Sequence, residues 1–195
     1  METNITEKIS LPWYKIWIDA LTRPSVAVYE NFLQDIHATS KRAYIWLIMS
    51  GIIVGFISTL TEPPLRGISA VLRTTCDALF PIIGVVFSLT VIAGLIQLLA
   101  QAMGGSGTFP KLIYALAALN APMTIVSALL LFVPYGLWIN AAVGVYWAVL
   151  SAIAVKAVHQ FEWKKTIIAI LPIILLVILL IMAPLLLMRP SASMK

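Results

Sequence analysis

Apolar positions between residues 43 and 188 gather into five long runs, and every charged residue in that stretch falls in a gap between them. Glu62, Arg66, Arg73 and Asp77 occupy the first gap, and Lys111 the second. The third gap holds no charge, while Lys156, Glu162, Lys164 and Lys165 cluster at the fourth. An apolar run of about 20 residues crosses a bilayer as a helix, because lipid offers no hydrogen-bond partner to an open backbone. The pattern predicts spans over 43–60, 78–103, 112–133, 137–155 and 166–188. Thr61-Glu62-Pro63-Pro64 ends the first, since paired prolines cannot continue a helix. Residues 68–79 are expected to form a short helix along the outer surface before Pro81. Pro134-Tyr135-Gly136 reads as a tight turn that makes the third and fourth spans an antiparallel hairpin.

Ahead of the first span the period changes. Ser10-Leu11-Pro12 reads as a helix start, with Ser10 as cap and Pro12 in the first turn. Trp13, Ile16, Trp17, Ala20 and Leu21 then recur at helical spacing, and Thr22-Arg23-Pro24 breaks the pattern. Val28, Tyr29, Phe32, Leu33 and Ile36 form a second stripe, opposed by Lys15, Asp19, Glu30, Asn31, Gln34 and Asp35. Two short amphipathic helices of this kind suit the membrane–water interface, with Trp13, Trp17, Lys41 and Arg42 as interfacial anchors. They equally suit packing against the ends of the spans, and the two readings are compatible.

The spans differ in their small residues. The first carries Gly51 and Gly55, the second Gly84, Ser88 and Gly94, and the fourth Ala141, Gly144, Ala148, Ser151 and Ala152. The third has Ala117, Ala118, Ala121 and Ser127, with Asn120-Ala121-Pro122 as an expected kink beside a polar side chain. Small residues let helix backbones approach closely, so Gly51, Gly55, Gly84, Asn120, Pro122 and Gly144 are the candidate helix-packing or interaction residues. Whether the Gly51/Gly55 pair joins helices within one chain or between two is open. The fifth span is aliphatic nearly all round, with Pro172 and Pro184 inside it, and is expected at the lipid-facing edge of a four-helix bundle.

Composition agrees: the chain is 61% hydrophobic and only 11% charged, against roughly 25% charged for soluble domains. The fold class is therefore all-α, a polytopic membrane protein with five transmembrane helices and an N-terminal amphipathic interfacial segment. Its organisation is a cytoplasmic prefix over 1–42, a transmembrane domain over 43–188 and a short extracytoplasmic tail over 189–195. No secretory signal is evident, and the first span is expected to act as an uncleaved anchor. Lys and Arg number five before the first span, then two, one, none, three and two after successive spans. The positive-inside rule then places the N-terminus in the cytoplasm and the C-terminus outside.

Candidate chemistry is sparse. No ionisable group sits at mid-span, where pumps and proton relays keep theirs. Cys76 is the sole cysteine, so an intramolecular disulfide or thiol metal site is excluded. No cofactor or metal is expected, nor any nucleic-acid partner, since no basic surface carries base-reading or stacking groups. Uncharged polar residues within the spans include Gln97, Gln101, Asn120, Thr124, Ser127 and Asn140. They would line a path for a neutral or hydrophobic solute only if one helix face collected them, and none does so continuously; interhelical hydrogen bonds are the preferred reading. Gly104-Gly105-Ser106-Gly107, with His159 two spans later, resembles the nucleophile motif of rhomboid intramembrane serine proteases. The Phe161-Glu162-Trp163-Lys164-Lys165 run after His159 departs from that pattern, as does the lack of an oxyanion-stabilising His and Asn in an earlier span.

A second resemblance covers nearly the whole chain. The glycine turn at 104–107, the helix through Ala121-Pro122, and Val133-Pro134-Tyr135-Gly136 resemble the centre of the Yip family of Ypt/Rab-interacting membrane proteins and their prokaryotic relatives. Tyr146-Trp147, Lys156-Ala157-Val158-His159, Lys164-Lys165 and Leu21-Thr22-Arg23-Pro24 also fit. The resemblance implies five spans and a cytoplasmic N-terminus. Eukaryotic members carry an Asp-Leu-aromatic-Gly-Pro motif before the first span, where this chain has Lys41-Arg42-Ala43-Tyr44-Ile45-Trp46. That departure speaks against Rab binding and points to a prokaryotic plasma-membrane member. The expected role is a non-enzymatic scaffold, membrane organiser or partner subunit, with the lipid bilayer and either a second copy or another membrane protein as partners.

Overall fold

The structure is a computed structural model that describes residues 10–61 and 68–187. Its helices are α1 Trp13–Thr22, α2 Val26–Leu33, α3 Ser40–Thr61, α4 Ile68–Ala102, α5 Phe109–Leu129, α6 Gly136–His159 and α7 Trp163–Leu187. Among the described residues four of them, α3 to α6, are long and apolar enough to cross a membrane.

The centre belongs to α5. Every residue from Leu112 through Leu119 is buried, as are Ala121, Pro122 and Met123. Alanines at 115, 117, 118 and 121 bring neighbouring backbones close on all sides, which is how bilayer helices gain packing contacts without a hydrophobic driving force. α3 packs on α4 and α5, α6 packs on α5, and α7 lies outside against α4 and α6. The inner stripe of α7 is Thr166, Ala169, Ile170 and Ile173, whereas Ile167, Ile168, Leu171 and Leu175 face outward.

Two local expectations are corrected. No break separates residues 68–79 from the second span: α4 runs unbroken for 35 residues with Pro81 inside it. Proline is tolerated there because neighbouring helices and small local adjustments compensate the backbone group it frees. At about 1.5 Å per residue α4 is roughly 52 Å long, far beyond the ~30 Å hydrocarbon core, and its first turns carry the Arg73–Asp77 pair at 3.6 Å. The first helix is capped by Pro12 rather than Ser10: Pro12 is extended, and its carbonyl accepts the Lys15 and Ile16 amides. The Thr61-Glu62-Pro63-Pro64 stop falls largely outside the described residues.

The α5–α6 hairpin forms at the expected turn. α5 tightens into a 3-10 turn at Leu130–Phe132, Tyr135 adopts a left-handed conformation, and the Gly136 amide donates to the Val133 carbonyl at 2.9 Å. A Cβ on Gly136 would lie 1.9 Å from the Leu130 carbonyl oxygen, so no other residue fits this turn undistorted. At the far end of α6, Lys156 folds its stem back so that Nζ donates to the Phe161 carbonyl and sits 5.2 Å from the Trp163 ring centroid.

Candidate functional site

The prefix docks on the bundle through a buried polar lock. Asp35, in the loop between α2 and α3, has a fully buried carboxylate. Its Oδ2 accepts from Arg42 Nη1 at 2.6 Å and from the Tyr114 hydroxyl at 3.1 Å. Its Oδ1 accepts from the His37 amide at 3.1 Å and, at 3.5 Å, from the Leu11 amide. Arg42 completes the ring by donating Nη2 to the Leu11 carbonyl at 3.0 Å. One carboxylate and one guanidinium thereby tie together the segment before α1, the α2–α3 loop, the start of α3 and the central α5.

An aromatic ladder parallels the lock. Trp13 stands edge-on to Trp17 with centroids 5.1 Å apart, Trp17 to Trp46 at 6.1 Å, and Trp46 lies 5.1 Å from Tyr114. The Arg42 guanidinium carbon is 5.1 Å from the Trp46 ring centroid, so the same cation closes both systems. α2 is fixed through Tyr29, whose hydroxyl donates to the Ala20 carbonyl at 3.2 Å. Burial, with a smaller push from nearby Tyr146, raises the Tyr29 phenol well above its ordinary range, so it stays a donor. Tyr146 donates to the Leu21 carbonyl, and Gln160 Nε2 donates to Glu30 Oε1 at 2.9 Å.

The glycine turn wraps a histidine. A Cβ on Gly105 would lie 2.6 Å from His159 Nδ1, and one on Gly107 would lie 2.8 Å from the same atom and 2.6 Å from the Val158 carbonyl. Gln97 holds the turn by donating Nε2 to the Gly107 carbonyl at 2.9 Å. The His159 ring stacks on Phe161, with centroids 5.4 Å apart. Ser106 Oγ donates to the His159 backbone carbonyl at 3.4 Å, while both ring nitrogens are buried without a hydrogen-bond partner. A nucleophilic serine must donate to the base's ring nitrogen. The Ser106/His159 pair is thus brought together as a packing feature, not as the dyad the rhomboid-like motif required.

The other sequence candidates divide by location. Trp13 is 47% exposed on the outer side of α1, Trp17 is half-buried, and Lys41 is exposed. Arg42, expected at the interface, is instead turned inward to Asp35. A Cβ on Gly51 would meet Ile82 Cα at 2.6 Å, and one on Gly55 the Ala78 carbonyl oxygen at 2.6 Å, so both glycines lie where α3 touches α4. Gly84 and Gly144 have nothing within 4 Å of a Cβ: α4 turns Ala78, Ile82, Leu89 and Ala93 toward the bundle, and Gly84 falls off that face. α5 continues through the buried Pro122, and Asn120 Oδ1 accepts the Trp147 indole N–H at 3.2 Å. Asn120, Thr124 and Ser127 do share one face of α5, at i, i+4 and i+7, contrary to the expectation that no face collects them. They line a lateral cavity together with Asn140 and Gly144. Gln97 is held at the glycine turn and Gln101 is exposed near the end of α4, so neither joins Asn120 and Asn140 at the cavity.

Sequence reasoning missed Asp35 and Tyr114. The one available signal was an aspartate seven residues before an arginine at the mouth of the first span.

The family model of the Yip1 domain matches residues 18–183. The chain belongs to the Yip1-domain family. No curated protein and no solved structure matches the chain significantly. The Yip1 domain includes Asp35, Arg42 and Tyr114, while Leu11, Trp13 and Trp17 precede the matched region. With its apolar helices, this Yip1-domain chain is a membrane protein.

Proposed function

We propose that this Yip1-domain protein is a non-enzymatic membrane scaffold or partner subunit that presents its N-terminal prefix as a preformed docking ridge. The observation that carries this reading is the Asp35–Arg42–Tyr114 lock. It holds α1 and α2 against the bundle by their inner sides (Ile16, Ala20, Tyr29 and Phe32) and leaves Trp13, Tyr14 and Ile18 facing outward at 47%, 55% and 55% exposure. A rigid ridge with an aromatic outer side loses little entropy when it meets a headgroup layer or another membrane protein. Native mass analysis from mild detergent is expected to show a homo-oligomer or a stoichiometric partner. That species should be lost when Tyr14 and Ile18 are both replaced by serine with the lock intact. A uniformly monomeric, partner-free wild type overturns the reading.

The proposed topology adds α7 as a fifth span and places the N-terminus in the cytoplasm of a prokaryotic cell, with the C-terminus outside. The charge distribution supports it, and so does the length of α7, 25 residues with a strongly apolar sequence. Cys76 offers a direct check, because it is exposed and lies in the first turns of α4. In intact cells a membrane-impermeant maleimide is expected to label it. Labelling only after permeabilisation reverses the orientation.

A further inference from the structure

We infer that the lateral cavity is a binding site for a neutral lipid, one with a long apolar body and an uncharged hydroxyl- and carbonyl-bearing head. The cavity has a volume of about 630 Å³, within the roughly 300–1,000 Å³ of small-molecule sites. α5 forms its floor through Asn120, Thr124 and Ser127. Its walls are α4, through Phe87 and Val91, and α6, through Asn140 and Gly144. Phe87 is 68% and Val91 42% exposed, so the cavity opens sideways, at the depth where the spans face acyl chains. α7 packs on both α4 and α6 and contributes Ile173 to the lining.

Hydrogen-bond capacity inside the cavity sets the ligand's chemistry. Asn120 Oδ1 is taken by the Trp147 indole, while its Nδ2 donors have no partner among the described residues. Asn140 Nδ2 donates to the Ser127 carbonyl at 3.2 Å, while its Oδ1 acceptor has none. An occupant that brings an acceptor for Asn120 and a donor for Asn140 satisfies both groups. Asn120 and Ser127 are seven residues apart on α5, about 10 Å along its axis, so the hydroxyl belongs toward the α5–α6 turn and the carbonyl deeper. Among the described residues no charged side chain lines the cavity, which disfavours an ionised head. Gly144 keeps the wall open, because no described residue of another element lies within 4 Å of where its Cβ would be.

The full-length protein in phosphatidylcholine nanodiscs, photolysed with a diazirine-bearing monoacylglycerol, tests this. Labelled peptides are expected to come from the cavity segments of α4, α5 and α6, and a diazirine fatty acid of equal chain length should label them at least about tenfold less. Gly144→Leu adds a side chain from α6 at a position where a Cβ meets nothing within 4 Å, and Ser88→Leu narrows the cavity from α4, where the serine bonds only its own helix at the Val85 carbonyl. Each should lower labelling by about tenfold, with helicity and thermal midpoint unchanged. Three results overturn the inference: undiminished labelling in both variants, equal labelling by the anionic probe, or a co-purified polypeptide shielding these segments. The first two would mean ordinary boundary lipid, the third a helical occupant.

Discussion

Arg42→Ala is expected to destabilise the protein by about 3–5 kcal/mol, among the largest effects available to a single substitution here. The loss is not the worth of the ion pair itself, because two charges taken from water gain little by meeting. It comes from leaving the Asp35 carboxylate buried with only the Tyr114 hydroxyl and backbone amides as partners, and from freeing the Leu11 carbonyl that Arg42 Nη2 caps at 3.0 Å. Thermal unfolding in one detergent, compared across a short series, separates these contributions. Arg42→Lys should recover only part of the loss, since an ammonium cannot present a planar fork to Asp35 and Leu11 at once. Tyr114→Phe removes one hydrogen bond to a charged acceptor and should cost about 1.5–3 kcal/mol. Because the lock holds α1 in place, Arg42→Ala should also speed tryptic cleavage after Lys15, an exposed side chain within α1. An unfolding midpoint and cleavage rate equal to wild type would remove the lock from the account of how the prefix is held.

How far the sequence reads true follows from the range of each interaction. Hydrophobic runs are local, so α3, α5 and α6 stand close to their expected limits, as does the end of α4, and the Pro134-Tyr135-Gly136 turn is legible because a single chain segment makes it. The small residues of the first four spans likewise mark them as packing helices, but which of the four is central is settled only by the bundle. The lock is different. Asp35 meets Leu11 across 24 positions and Tyr114 across 79, and a carboxylate on the polar face of a short helix has the same pattern whether it faces water or a guanidinium. Pro81 misled for a related reason: its effect depends on whether neighbours can satisfy the freed carbonyl, and that is a property of the bundle. The polar stripe at Asn120, Thr124 and Ser127 was present in the spacing all along. It was obscured by pooling polar residues from every span, when only those of α5 and α6 converge.

Gly51 and Gly55 carry the second large effect, and there the structure answers a question the sequence leaves open. An added methyl at either site would stand 2.6 Å from a backbone atom of α4, Ile82 Cα in one case and the Ala78 carbonyl oxygen in the other. A flexible side chain would rotate away from such a contact, but backbone does not. α3 and α4 must therefore separate by roughly 1 Å to regain van der Waals distance. Each Gly→Ala change is expected to cost about 1–3 kcal/mol, as overpacking does in tight cores. The double change should fall short of the sum, because one separation of the helices relieves both clashes. Gly84→Ala and Gly94→Ala on α4 are the matched controls. Neither Cβ meets anything within 4 Å, so alanine should be neutral or add up to about 1 kcal/mol through helix propensity. Unfolding measured in detergent, with the oligomeric state read on the same samples, discriminates the two possible roles of the pair. Loss of stability at unchanged oligomeric state places the Gly51/Gly55 contact inside the chain. Unchanged stability with loss of an oligomer would assign it to a seam between copies, and would require α3 to part from α4 where the structure packs them most tightly.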